Sequence, residues 1–110
     1  MSQKILQINF KFNSSRAEYE QVCLPLAQPI ADVAGLRWKV WLMNEAGREA
    51  GGIYLFEDES SLQAFLSGPI VAGLGNDPSF SDISAKVFDP MEALSLITRA
   101  PIGERTRALP

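Results

Sequence analysis

Along residues 5–12, ILQINFKF, apolar and polar side chains alternate, with Leu6, Ile8, Phe10 and Phe12 on one side and Gln7, Asn9 and Lys11 on the other. That period of two predicts a first strand. Asn13 and Ser14 are able to cap a helix whose apolar positions Tyr19, Val22, Cys23, Leu26, Ile30 and Val33 recur at three- and four-residue steps. Pro25 and Pro29 lie inside this pattern, so a kink or break is expected near residue 24, with the exit at Gly35. LRWKVWLM (36–43) and EAGGIYLF (49–56) flank the turn-forming NEAGR and predict a hairpin. Asp58 can cap a second helix carrying Leu62, Phe65 and Leu66, which ends at Gly68-Pro69. The stretch 68–82, rich in Gly, Pro, Asn, Asp and Ser, predicts a turn of helix followed by a long mobile loop. ISAKVF (83–88) alternates again as a fourth strand, and a short helix runs through Met91, Leu94 and Ile97.

The order β-α-β-β-α-β predicts an α+β domain over residues 1–97: a ferredoxin-like sandwich whose four-stranded antiparallel sheet carries two helices on one face. Residues 98–110 are expected to form a loose tail. Such a sheet leaves its second face uncovered, and a second copy of the chain is the simple cover, so a homodimer is expected.

With the hairpin loop centred on Ala46-Gly47, Trp41 lies opposite Gly52, Lys39 opposite Tyr54 and Arg37 opposite Phe56. Parity then predicts an aliphatic face of Leu6, Ile8, Trp38, Val40, Ile53, Leu55, Ile83 and Val87. The other face mixes rings and polar groups: Gln7, Asn9, Lys39, Trp41, Tyr54, Phe56, Lys86 and Phe88. This mixed face reads either as a dimer seam or as an aromatic pocket with a few oriented polar groups. Gly51-Gly52 reads either as a bulge or twist point, or as space left beneath a ring at Trp41.

Composition narrows the chemistry. The 110 residues are 46% hydrophobic and 21% charged, with a net charge of −3, which is ordinary globular usage and offers no basic footprint for nucleic acid. No run suits a signal peptide or a membrane span, and a lone Cys23 suits a buried small hydrophobe, so the cytoplasm is the expected compartment. The chain contains no histidine. That excludes Ser-His-Asp and Cys-His nucleophiles, facial-triad iron and His-ligated haem. Glu57, Asp58 and Glu59 fit the acidic first turn of a helix better than a metal site. No cofactor and no metal are expected.

The segments LQINFKFN, GLRWKVWLMNEAGREAGGIYLFEDE and AKVFD resemble the YdhR-like monooxygenase family of the dimeric α+β barrel superfamily, most specifically in WKVW, EAGGIYLF and AKVFD. The similarity runs over residues 3–97. It implies a ferredoxin-like protomer, a homodimer whose sheets pack into a barrel, a cavity in each subunit, and a relation to cofactor-independent monooxygenases acting on polycyclic aromatic phenols or anthrones.

On that basis the chain reads as an oxygenase for a small aromatic molecule. Tyr54 and Lys86 are its candidate catalytic groups, Trp41, Phe56 and Phe88 stack the substrate beside Tyr54, and Gln7 and Asn9, with Lys86, orient its oxygens. Substrate oxidation by O2 first requires loss of a proton, and only Tyr54, Lys39, Lys86, a carboxylate or water is available to take it. A non-catalytic binding protein on the same scaffold is the second reading, and an isomerase or lyase of the superfamily the third.

Overall fold

The computed structural model describes residues 2–103, and its first strand, β1 (Lys4–Phe12), runs where the alternation places it, with Leu6, Ile8, Phe10 and Phe12 buried. Helix α1 (Arg16–Ala31) is capped by Ser15 rather than by Asn13 or Ser14. Ser15 Oγ accepts from the Glu18 amide at 3.1 Å, and Glu18 Oε1 accepts from the Ser15 amide at 3.0 Å, a reciprocal capping box. The helix continues through Pro25 and Pro29, which corrects the expected break. The carbonyls these prolines leave without a helical partner belong to Gln21 and Pro25, both exposed residues, so the loss does not bury an unsatisfied acceptor.

Strands β2 (Leu36–Asn44) and β3 (Glu49–Phe56) form the predicted hairpin, with Trp41 opposite Gly52 and Lys39 opposite Tyr54. Arg37 does not face Phe56. The register shifts between Leu36 and Trp38, and Leu36 takes that place. Asp58 caps α2 (Glu59–Leu66), accepting from the Ser61 amide at 2.9 Å. The long loop expected over 68–82 is instead helix α3 (Pro69–Asn76) and the start of β4 (Phe80–Phe88). Pro69 opens α3, where its missing N–H has no helical partner to lose. A short α4 (Glu92–Ile97) follows. No helix among the described residues is long and apolar enough to cross a membrane.

The sheet order is β2-β3-β1-β4, with every neighbouring pair antiparallel, in a ferredoxin-like α+β arrangement. Tyr19 and Ile30 of α1, and Leu62 and Phe65 of α2, pack with Leu6, Ile8, Phe10, Phe12, Tyr54 and Phe56 into one core, and Ile70, Val71 and Leu74 of α3 close its side.

The register between β1 and the hairpin corrects the expected faces. Leu6 lies opposite Tyr54 and Ile8 opposite Gly52, while Gln7 pairs with Lys86 and Ile5 with Phe88. Directly opposed residues share a face. The helix-covered face therefore carries Leu6, Ile8, Lys39, Trp41, Tyr54 and Phe56, and the other carries Gln7, Asn9, Trp38, Val40, Ile53, Leu55, Lys86 and Phe88. Each hairpin face is grouped as expected, but β1 and β4 join it with opposite parity.

The second face is partly covered by the chain itself. Trp38 Nε1 donates to the Pro101 carbonyl at 2.8 Å, the Gly103 amide donates to Gln3 Oε1 at 2.6 Å, and Ile102 is buried. Leu55, beside Trp38 in the register, has no exposure. The loose tail expected from residue 98 is thus tied to the sheet as far as Gly103, and its remainder lies outside the described residues. Val40 and Phe88 stay half exposed on this face.

Candidate functional site

Between the helix-covered face and helices α1 and α3 lies a cavity of about 260 Å³. Its floor is Ile8, Lys39, Trp41, Gly51 and Tyr54. Its walls include Phe10, Tyr19, Cys23, Leu26, Val71, Leu74, Asp77 and Phe80. The lining is mostly apolar and aromatic with a few polar groups, which is how small-molecule sites are built.

Lys39 is the unusual member. Its Nζ lies 3.3 Å from the centre of the Trp41 ring and 4.7 Å from that of Tyr54. Gly52 makes this path available: a Cβ there would stand 2.5 Å from Lys39 Cε and 3.2 Å from Tyr54 Cε1. Gly51 answers a different need, since its Cβ would stand 2.0 Å from the Ile8 carbonyl oxygen. The ladders run without a shift through both glycines, so they serve close approach rather than a bulge.

Two effects act on the Lys39 ammonium in opposite directions. Aromatic faces favour the cation by about 0.5–2 kcal/mol. Desolvation disfavours it and is the larger effect, lowering the pKa from 10.5 to about 8, with Cys23 as a weaker opposing influence. That displacement corresponds to roughly 3 kcal/mol. Near neutral pH this lysine can therefore give and take a proton.

Burial pushes the Tyr54 and Tyr19 hydroxyls well above the ordinary tyrosine value, so both are neutral donors. The Tyr54 hydroxyl makes no hydrogen bond among the described residues and is not a sealed orphan, and the residue lines the cavity. Burial raises the Cys23 thiol pKa, with the neighbouring Tyr19 hydroxyl a weaker opposing influence, which keeps Cys23 a wall group rather than a nucleophile.

Of the residues named from sequence, Trp41 and Tyr54 line the cavity together. Phe56 is fully buried beside Tyr54 and contributes packing. Gln7, Asn9, Lys86 and Phe88 stand on the opposite face, where Gln7 Nε2 donates to Asn9 Oδ1 at 2.8 Å. Tyr54 and Lys86 are therefore separated by the sheet, and the single-face constellation is corrected. Lys39, not Lys86, is the lysine that shares the cavity with Tyr54. Its signal was present in the sequence as the partner of Tyr54 and near neighbour of Gly52. The walls from α1 and α3 carried no such signal.

The family model described as "Putative mono-oxygenase ydhR" matches residues 5–101. No curated protein sequence matches the chain. Among solved structures, a protein of unknown function from Nitrosomonas europaea, NE2512, superposes with a TM-score of 0.69 at 22% identity, covering 94% of this chain and 98% of that one. SnoaB, a cofactor-independent oxygenase from Streptomyces nogalater, superposes with a TM-score of 0.68 at 16% identity, covering 84% and 96%. A monooxygenase from ActVA-Orf6 of Streptomyces coelicolor, in complex with Nanaomycin D, gives 0.60 at 15% identity, covering 81% and 88%. At such identities these three share the fold.

Proposed function

Because this chain belongs to the ydhR mono-oxygenase family, we propose that its cavity oxidises a small phenolic or fused-ring aromatic substrate with O2 and without flavin, haem or metal. The observation that carries this reading is the Lys39 amine, placed against Trp41 and Tyr54 on the floor of an aromatic cavity. Neutral Lys39 takes a proton from the acidic carbon or hydroxyl of the substrate, leaving an enolate or phenolate paired with the new ammonium. Tyr54 donates to the substrate oxygen, and Trp41 lies against the ring. The anion passes one electron to O2, and the substrate radical and superoxide combine through a new C–O bond. Protonation of the resulting peroxide, cleavage of its O–O bond and loss of the adjacent C–H proton release water and leave one oxygen in a new carbonyl.

Two copies of the chain cover each other's open sheet faces. The half-exposed Val40 and Phe88 support this arrangement, as does the family's barrel assembly.

Oxygen uptake with anthrone tests the reaction: one O2 is consumed per anthraquinone formed, and Lys39→Met abolishes the uptake. Saturable binding of anthrone with no oxygen consumption above the uncatalysed rate would instead establish the non-catalytic binding reading.

A further inference from the structure

Among the described residues, Lys39 has no carboxylate partner and no hydrogen bond; its amine lies against the Trp41 and Tyr54 rings, with Cys23 a weaker electrostatic neighbour. Among the described residues, Lys4 is paired with Asp89 and Glu59, Arg16 with Glu20 and Glu45, and Arg37 with Glu57, while Lys11 and Arg48 donate to backbone carbonyls. A charge withdrawn from water without a counter-charge is costly, and none of the contacts around Lys39 offsets that cost with an opposite charge.

The groups that face Lys39 from neighbouring elements do not neutralise it. Tyr19 and Cys23 of α1 and Tyr54 of β3 are held protonated by burial. Asp77, after α3, is the one carboxylate of the lining; its Oδ1 accepts from the Ser79 amide at 2.9 Å, and it forms no ion pair with Lys39.

From this unmatched cation on an aromatic floor we propose that the cavity selects an aromatic monoanion, a carboxylate or phenolate whose anionic oxygen sits on Lys39 Nζ while its ring lies against Trp41 and Tyr54. This inference rests on the reading of the cavity as the substrate site. In the proposed reaction the same pairing arises one step later, since the ammonium formed when Lys39 takes a proton stands beside the anionic oxygen it has generated. The volume of about 260 Å³ lies at the small end of the roughly 300–1,000 Å³ of most small-molecule sites, which favours a compact aromatic ligand.

Three probes with one ring system separate charge from shape: 2-naphthoate, 2-naphthalenemethanol and 2-naphthylmethylammonium, titrated calorimetrically into the full-length protein at pH 7 without oxygen. Naphthoate is expected to bind at least ~10-fold more tightly than the alcohol, and the ammonium most weakly. Lys39→Met should erase the preference between acid and alcohol, whereas Lys39→Arg, which keeps a charge able to stack on the ring, should retain it. Equal binding of acid and alcohol, a preference that survives Lys39→Met, or no saturable binding of naphthoate up to ~1 mM would overturn the proposal. Because binding is read without turnover, the two readings fail separately. Anion preference without oxygen uptake removes the oxygenase and keeps the ligand class, and oxygen uptake without anion preference does the reverse.

Discussion

Lys39 and Trp41, two residues apart on one face of β2, meet over the gap left by Gly52, with Nζ 3.3 Å from the ring centre. Residues two apart on a strand point the same way, but a lysine would ordinarily extend past its neighbour toward solvent. Here the missing side chain at Gly52 and the Tyr54 ring guide the amine inward.

The first consequence is a pH dependence of rate. Only the neutral amine accepts a proton, so kcat/KM for oxygen uptake should rise with pH through an apparent pKa of about 8 and level off above it. Lys39→Met should lose at least ~10²-fold and show no such limb. A rate independent of pH between 6 and 10 in the wild type would remove Lys39 as the base.

Stability should respond to the same group with a known sign. Lys39 has a lower pKa folded, about 8, than its ordinary 10.5, so between these values the unfolded chain binds more protons and stability rises with pH. Below pH 8 the penalty is fully present, and it amounts to at most about 3 kcal/mol. Comparing the thermal midpoints of wild type and Lys39→Met isolates it: the variant should be the more stable protein at pH 7, with the difference gone above pH 10.5.

The adjacent glycines should behave differently when given a methyl group. In Gly52→Ala the tightest neighbour is the flexible end of Lys39, so stability should change by no more than about 1 kcal/mol while Lys39 leaves the rings and turnover falls. In Gly51→Ala the neighbour is the Ile8 carbonyl, which cannot yield without moving β1, and the loss should reach about 3 kcal/mol. Urea denaturation of both variants provides the comparison, and equal losses would contradict it.

Tyr54→Phe removes the hydroxyl and keeps the stacked contact with Phe56 and the tilted one with Phe65. Since the hydroxyl makes no hydrogen bond among the described residues, stability should fall by no more than ~1.5 kcal/mol. Turnover of an anthrone-like substrate should fall by ~10²-fold. Lys86→Ala, on the opposite face, discriminates between the two faces as sites. A larger loss there than in Tyr54→Phe would move the chemistry to the face of Gln7 and Asn9.

Light scattering after size-exclusion chromatography should give twice the 12.1 kDa chain mass. Val40→Asp, which places a charge on the half-exposed face, should shift the protein toward the single-chain mass. A wild-type mass of one chain at micromolar concentration would contradict the dimer.

What could be read along the chain was what depends on near neighbours. Alternation located β1, turn chemistry placed the hairpin so that Trp41 meets Gly52, and Asp58 marked the start of α2, because each involves residues that are close in sequence. Cys23, expected as a buried small hydrophobe, is instead partly exposed in the cavity wall, a place that only the packing of α1 over the sheet decides. What depends on distant pairing did not follow. Both faces of this sheet are apolar, one beneath the helices and one beneath Ile102, so hydrophobicity could not decide whether Leu6 joins Tyr54 or Leu55. That single parity separates Lys39, Trp41 and Tyr54 from Gln7, Asn9, Lys86 and Phe88. Helix α3 and the continuous α1 likewise arise from tertiary support, which outweighs the local signals of Gly73, Gly75, Pro25 and Pro29. The cavity exists only once those two helices are laid across the sheet, which is why its floor could be glimpsed in the strands and its walls could not.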